Sequence, residues 1–163
     1  MNLSDYISAD RIVFLKANGR DDAIRELIEQ AASLSLIRNK SDFESTVRRR
    51  ETVSPTGIGL GVAIPHGRCR EAVDLFIITG LAPSPLQWPA FDGAPVKMIF
   101  LIGIPDGPTV STRDMAGRYL ALIAALMLLI KQPRRREAMF AALKPEDLLA
   151  VLSQAPQPTS GAG

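Results

Sequence analysis

Two runs in this chain, Leu75-Phe76-Ile77-Ile78 and Met98-Ile99-Phe100-Leu101-Ile102, are apolar at every position. Side chains alternate between the two faces of a strand, so a strand with no polar face must be covered on both sides. A chain with two such strands needs helices above and below one sheet. The pattern predicts strands over 74–81 and 96–104. Between them lies a turn-rich connection containing Pro83, Pro85, Pro89 and Asp92-Gly93. The run Pro105-Asp106-Gly107-Pro108 ends the second strand.

Helices to cover that sheet are legible on either side of it. A short strand over 11–15 precedes Asn18-Gly19. Ala23, Ile24, Leu27, Ile28, Ala31 and Leu34 then recur at helical spacing, opened by the acidic pair Asp21-Asp22. Ser41-Asp42-Phe43-Glu44 has the form of a capping box and opens a second helix that ends near Arg50. A long helix is expected over 113–131, followed by short ones over 134–143 and 145–152. Leu120 through Ile130 is uninterrupted apolar sequence, but a spanning helix needs roughly 20 such residues, and Arg118 and Lys131 bracket this one. It reads as a buried core helix. The expected fold class is α/β, a single-domain mixed β-sheet flanked by helices on both faces. The domain covers 1–153, and 154–163, rich in Pro, Gly, Ser, Thr and Ala, is expected to be a disordered tail.

Length and charge narrow the function. A chain of 163 residues fits one compact domain. A formal net charge of +2 gives no case for nucleic acid. The single cysteine, Cys69, excludes an internal disulfide. No basic region precedes an apolar stretch at the N-terminus, so a cytoplasmic protein without membrane insertion is expected.

The chemistry concentrates around the single histidine, His66. Val62-Ala63-Ile64 reads as a strand, Pro65 ends regular pairing, and the imidazole follows at the strand exit with Gly67 after it. Neutral imidazole can be a base, a metal ligand or a nucleophile. Zinc wants three or four protein ligands, and His66 with Cys69 supplies two, so no metal is expected. Gly57, Gly59 and Gly61 precede a strand instead of linking strand to helix, which does not fit a dinucleotide fingerprint. These glycines permit close backbone approach, a bulge or a tight crossing. Phosphoryl chemistry suits the surroundings better, because a phosphohistidine needs arginines or N–H donors. Arg48, Arg49 and Arg50 lie just before the glycine segment, and Arg68 and Arg70 follow His66. Arg48 and Arg49 read as solvated charges at a helix C-terminus. Arg50, leading into the loop, reads as a phosphate partner.

Two blocks carry a resemblance. Arg50-Glu51, Thr56-Gly57-Ile58-Gly59 and Gly61-Val62-Ala63-Ile64-Pro65-His66-Gly67 resemble the signature of IIA domains of the bacterial phosphotransferase system, fructose–mannitol type. Trp88-Pro89-Ala90-Phe91-Asp92-Gly93-Ala94-Pro95-Val96 is similar to a second block of that family. A chain of this length, without an attached IIB or IIC region, looks most like the nitrogen-regulatory IIA proteins. The resemblance implies a mixed sheet flanked by helices, and no cofactor. It implies that His66 accepts a phosphoryl group from a histidine phosphocarrier protein, that Arg50 stabilises it, and that Thr56 and Gly67 belong to the phosphate site. It implies regulatory target proteins or a IIB domain as further partners. The family usually has a second histidine near the start of the long helix. By the apolar pattern that position falls near Ala116, and Leu60 stands where relatives are often polar.

The resulting expectation is a phosphoryl carrier and regulator whose phosphorylation state signals in nitrogen- or potassium-type control. The alternatives are a binding module in which phosphorylation is vestigial, favoured by the missing second histidine, and a sugar-transport IIA subunit.

Overall fold

The computed structural model describes residues 2–154. The expected tail therefore lies outside the described residues, apart from Gln154, whose N–H meets the Val151 carbonyl. Two short 3-10 turns, Leu3–Asp5 and Ala9–Arg11, lead into β1 (Ile12–Phe14). The chain continues through α1 (Arg20–Ser33), α2 (Lys40–Val53), β2 (Gly57–Gly59), β3 (Val62–Ala63), β4 (His66–Cys69), β5 (Phe76–Leu86) and β6 (Val96–Pro105). Helices α3 (Thr112–Ile130), α4 (Pro133–Phe140) and α5 (Pro145–Leu152) close it.

The strands form one mixed sheet in the order β1-β5-β6-β3-β2, with β4 also paired to β6. β5 runs antiparallel to β6, whereas β3 and β4 both run parallel to it. The two apolar runs are the central strands, as their patterning requires. Phe76, Ile78, Ile99 and Leu101 pack toward one face in a core shared with residues of α1 and α2. Leu75, Ile77, Met98, Phe100 and Ile102 pack toward the other, with residues of α3, α4 and α5. The sheet is thus covered on both sides.

Four local expectations are corrected. Pro83 and Pro85 lie inside β5, at an exposed irregularity between Leu81 and Leu86 where the register with β6 shifts. A proline is tolerated there because the ladder needs no N–H from it. The cap of α2 is Asn39, whose side chain accepts the Asp42 N–H at 3.0 Å, so Ser41 is already helical. The same helix runs on to Val53, which puts Arg50 in its last turn. The apolar run in α3 is buried on one side only. Leu122, Leu126, Leu129 and Ile130 face the core, while Leu120 and Leu128 are 66% and 57% exposed. α3 lies outside the sheet, so a helical period leaves its far side in solvent. No helix among the described residues is long and apolar enough to cross a membrane.

Candidate functional site

β3 and β4 are two pieces of one stretch of chain, both laid against β6 and separated by Ile64-Pro65. His66 is therefore the first residue of a strand, paired with Ile102, and not a side chain at a strand exit. Pro65 gives up only its donor. Its carbonyl still accepts the Ile102 N–H at 3.0 Å, so β6 carries the chain across the break.

This register decides where the imidazole goes. Val62 and Ile64 pack toward α3, and His66 follows with the same parity. Its ring meets Tyr119 of α3, with ring centroids 6.1 Å apart and planes inclined by 43°. The next residue, Gly67, faces the other way. A Cβ on it would lie 3.0 Å from Val47 Cγ2 and 3.3 Å from Phe43 Cε2, both on α2. Glycine here lets α2 lie close along β4, and so brings the C-terminal turn of α2 to the histidine.

The imidazole is half-buried, and its Nδ1 lies 3.0 Å from the Ile64 carbonyl oxygen. A carbonyl can only accept, so Nδ1 carries the proton and Nε2 keeps its lone pair. Burial lowers the His66 pKa below its usual 6.5; the Ile64 carbonyl opposes this, Arg50 adds to it, and Glu51 opposes it. The ring is accordingly neutral at neutral pH, with an unprotonated Nε2.

A cavity of about 540 Å³ opens beside His66, lined among others by Arg49, Arg50, Arg68, Ala116 and Tyr119. Arg50 donates to the Ser54 carbonyl at 2.8 Å, which holds its guanidinium over the end of α2. Arg48 turns away to Glu44, at 3.1 Å, and Asp21, at 3.4 Å. Arg68 reaches Asp106 at 3.9 Å, and Arg70 pairs with Glu71. The guanidiniums at the cavity thus come from two helix positions, 49 and 50, and one strand position, 68.

Behind the site is a buried carboxylate that chemistry alone would not have singled out. Glu51, 3% exposed, accepts the Thr56 N–H at 3.0 Å, the Thr56 hydroxyl at 2.6 Å and the Trp88 indole N–H at 2.8 Å. These bonds tie α2 to the loop before β2 and to the segment after β5. Arg50 inherits that rigidity from its neighbour.

The structure brings together His66, Arg50 and Thr56, which line a second, contiguous cavity of about 310 Å³ with Tyr119 and Phe91. Thr56 is there as the partner of Glu51, its hydroxyl already donating. Gly67 lines neither cavity and serves the packing of α2. The glycines before the histidine do local work. Gly59, Leu60 and Gly61 all have positive φ, making the turn from β2 to β3, and the Leu60 N–H is held by Asp92 at 2.9 Å. Gly57 sits under Pro89, whose carbonyl oxygen would be 2.3 Å from an added Cβ. Ala116 does line the cavity, but the side chain that α3 presents to the imidazole ring is Tyr119, one turn on. The sequence held that signal. Residues 115, 119, 122, 126 and 129 form one helical stripe, and Tyr119 is its single polar member.

Known proteins resemble this chain along nearly its whole length. A family model described as phosphoenolpyruvate-dependent sugar phosphotransferase system, EIIA 2, matches residues 5–155. The chain is 29% identical over 154 residues to the PTS system 2-O-alpha-mannosyl-D-glycerate-specific EIIABC component of Escherichia coli (strain K12), covering 93% of this chain. It spans only 22% of that relative's length. It is 32% identical over 108 residues to a nitrogen regulatory protein of Bradyrhizobium diazoefficiens, covering 66% of this chain and 70% of that one. In fold it is similar to the nitrogen regulatory protein IIA-Ntr of Neisseria meningitidis, with a TM-score of 0.80, 24% identity and 92% and 98% of the two chains covered. The chain belongs to the EIIA type 2 family of the phosphoenolpyruvate-dependent sugar phosphotransferase system.

Proposed function

We propose that this protein carries a phosphoryl group on Nε2 of His66, received from the phosphohistidine of a phosphocarrier protein, and that its phosphorylation state regulates the proteins it binds. The single observation that carries this reading is the Nδ1 contact to the Ile64 carbonyl at 3.0 Å, which leaves Nε2 as a neutral nucleophile beside Arg50. In the transfer, the Nε2 lone pair forms a bond to phosphorus while the donor's P–N bond breaks. That electron pair returns to the donor's imidazole, and His66 keeps its Nδ1 proton. The ring gains positive charge, which the Ile64 carbonyl is placed to meet. Arg50 offers charge-assisted donors to the phosphoryl oxygens. Glu51 and Thr56 position Arg50 and do not touch the group.

The likeness to nitrogen regulatory proteins supports the regulatory output. The likeness to an EIIABC component over 154 residues supports a second reading, in which the group passes to a IIB domain. Incubation with phosphoenolpyruvate, enzyme I and the phosphocarrier tests the function. A gain of one phosphoryl group that is acid-labile and alkali-stable is expected, and its subsequent loss to a IIB domain separates the two readings. No gain in mass would contradict both.

A further inference from the structure

The phenol of Tyr119 lies between Met115 and Leu122, both buried, on the stripe of α3 that faces the sheet. The ring is half-buried against His66 and lines both cavities that His66 lines. Among the described residues its hydroxyl has no hydrogen-bond partner, although Tyr6 on the same side of the sheet is bonded to Arg118. A half-buried hydroxyl usually finds a partner. Here the ring, the His66 imidazole and Arg50 line the same two cavities. Burial raises the phenol's pKa, Arg50 partly opposing this, so the group remains a neutral donor throughout the neutral range.

We propose that the Tyr119 hydroxyl donates a hydrogen bond to a phosphoryl oxygen on His66, as a second, uncharged partner beside Arg50. This rests on the phosphorylation of His66 proposed above. No proton leaves Tyr119: its O–H turns from water to the phosphoryl oxygen as the P–N bond forms. The donor comes from α3 and Arg50 from α2, so the phosphoryl group is held from both sides of the sheet edge. The phenol ring also shields one side of the P–N bond from water.

The test compares wild type, Tyr119→Phe and Tyr119→His under the phosphocarrier assay, reading rate, hydrolysis of the phosphoprotein and the phosphorus resonance. Tyr119→Phe keeps the ring and its packing. It should still gain one phosphoryl group on His66, about tenfold more slowly, with faster hydrolysis and a shifted phosphorus resonance. Tyr119→His, which restores a donor, should recover most of the rate. A Tyr119→Phe protein with wild-type rate, hydrolysis and phosphorus resonance would overturn this inference and leave His66 as the acceptor. A wild type that gains no phosphoryl group would instead overturn the reading of His66 itself.

Discussion

Nδ1 of His66 is fixed on the carbonyl of Ile64, two residues back across Pro65, at 3.0 Å. The contact is local, yet it orients the ring beside the cavity. It selects the tautomer and points Nε2 away from the backbone. The same strand register that makes the contact places the ring against Tyr119 on α3, while Gly67 lets α2 deliver Arg50.

The first consequence is a pH dependence. An unfolded histidine titrates near 6.5, and burial places the folded value lower. The unfolded state therefore binds more protons in the window just below 6.5. The stability tied to neutral His66 is complete above that value and is lost as pH falls through the folded pKa. Urea unfolding between pH 8 and pH 5 should show wild type losing more stability than His66→Gln. The phosphorylation rate should be level above pH 7 and fall on acidification. Equal losses in the two proteins would mean that burial does not act on the ring.

Arg50 and Arg48 should differ sharply. Arg50 lines the cavity and bonds Ser54, whereas Arg48 is engaged by Glu44 and Asp21. Arg50→Ala should slow phosphorylation by about a hundredfold, the size of a lost charge-stabilising donor. Arg48→Ala should stay within a few-fold of wild type. Initial rates with one phosphocarrier preparation decide it, and equal losses would point to diffuse attraction of an acidic partner.

Glu51→Gln tests the support behind Arg50. The carboxylate takes three donors at once. An amide has one accepting oxygen and turns an N–H toward a donor, so about 1–3 kcal/mol of stability should be lost. Trp88, the single tryptophan, reports the change directly. Its emission should shift to the blue as its N–H loses the carboxylate while the ring stays buried, and denaturant midpoints should fall. Unchanged emission and midpoint would remove Glu51 from the account.

What was legible in the sequence followed from periodicity. Leu75 to Ile78 and Met98 to Ile102 had no polar face, and that alone required a sheet covered on both sides. The stripe of α1 and its acidic first turn were equally plain. The resemblance around His66 led to the proposed nucleophile and to Arg50, which line one cavity. What was not legible depends on tertiary register. Whether Pro65 ends a strand or merely skips a donor depends on β6 supplying the Ile102 N–H. Whether Ala116 or Tyr119 meets the imidazole depends on the rotation of α3 about its axis, which spacing alone leaves open by one turn. The partners of Glu51 lie 5 and 37 residues away, so no local pattern connects them.

Gly67 carries a packing prediction. An added Cβ would already press on Val47 and Phe43, and a valine adds two methyl groups to the same contact. Gly67→Val should cost about 1–3 kcal/mol through overpacking. It should also slow phosphorylation, because lifting α2 moves Arg50. Thermal unfolding and the phosphocarrier assay measure both effects. A stable, fully active Gly67→Val protein would show that the approach of α2 to β4 is not what positions the site.

The central claim is that Nε2 of His66 receives the phosphoryl group, and phosphorus–proton correlation spectroscopy of the phosphorylated protein tests it most directly. Nε2 is bonded to both Cδ2 and Cε1, whereas Nδ1 is bonded to Cε1 and to a carbon that bears no proton. One phosphorus resonance is expected, coupled to both ring protons of His66 and absent from His66→Ala. Coupling to the Hε1 proton alone would place the group on Nδ1, where the Ile64 carbonyl now sits, and would contradict the account.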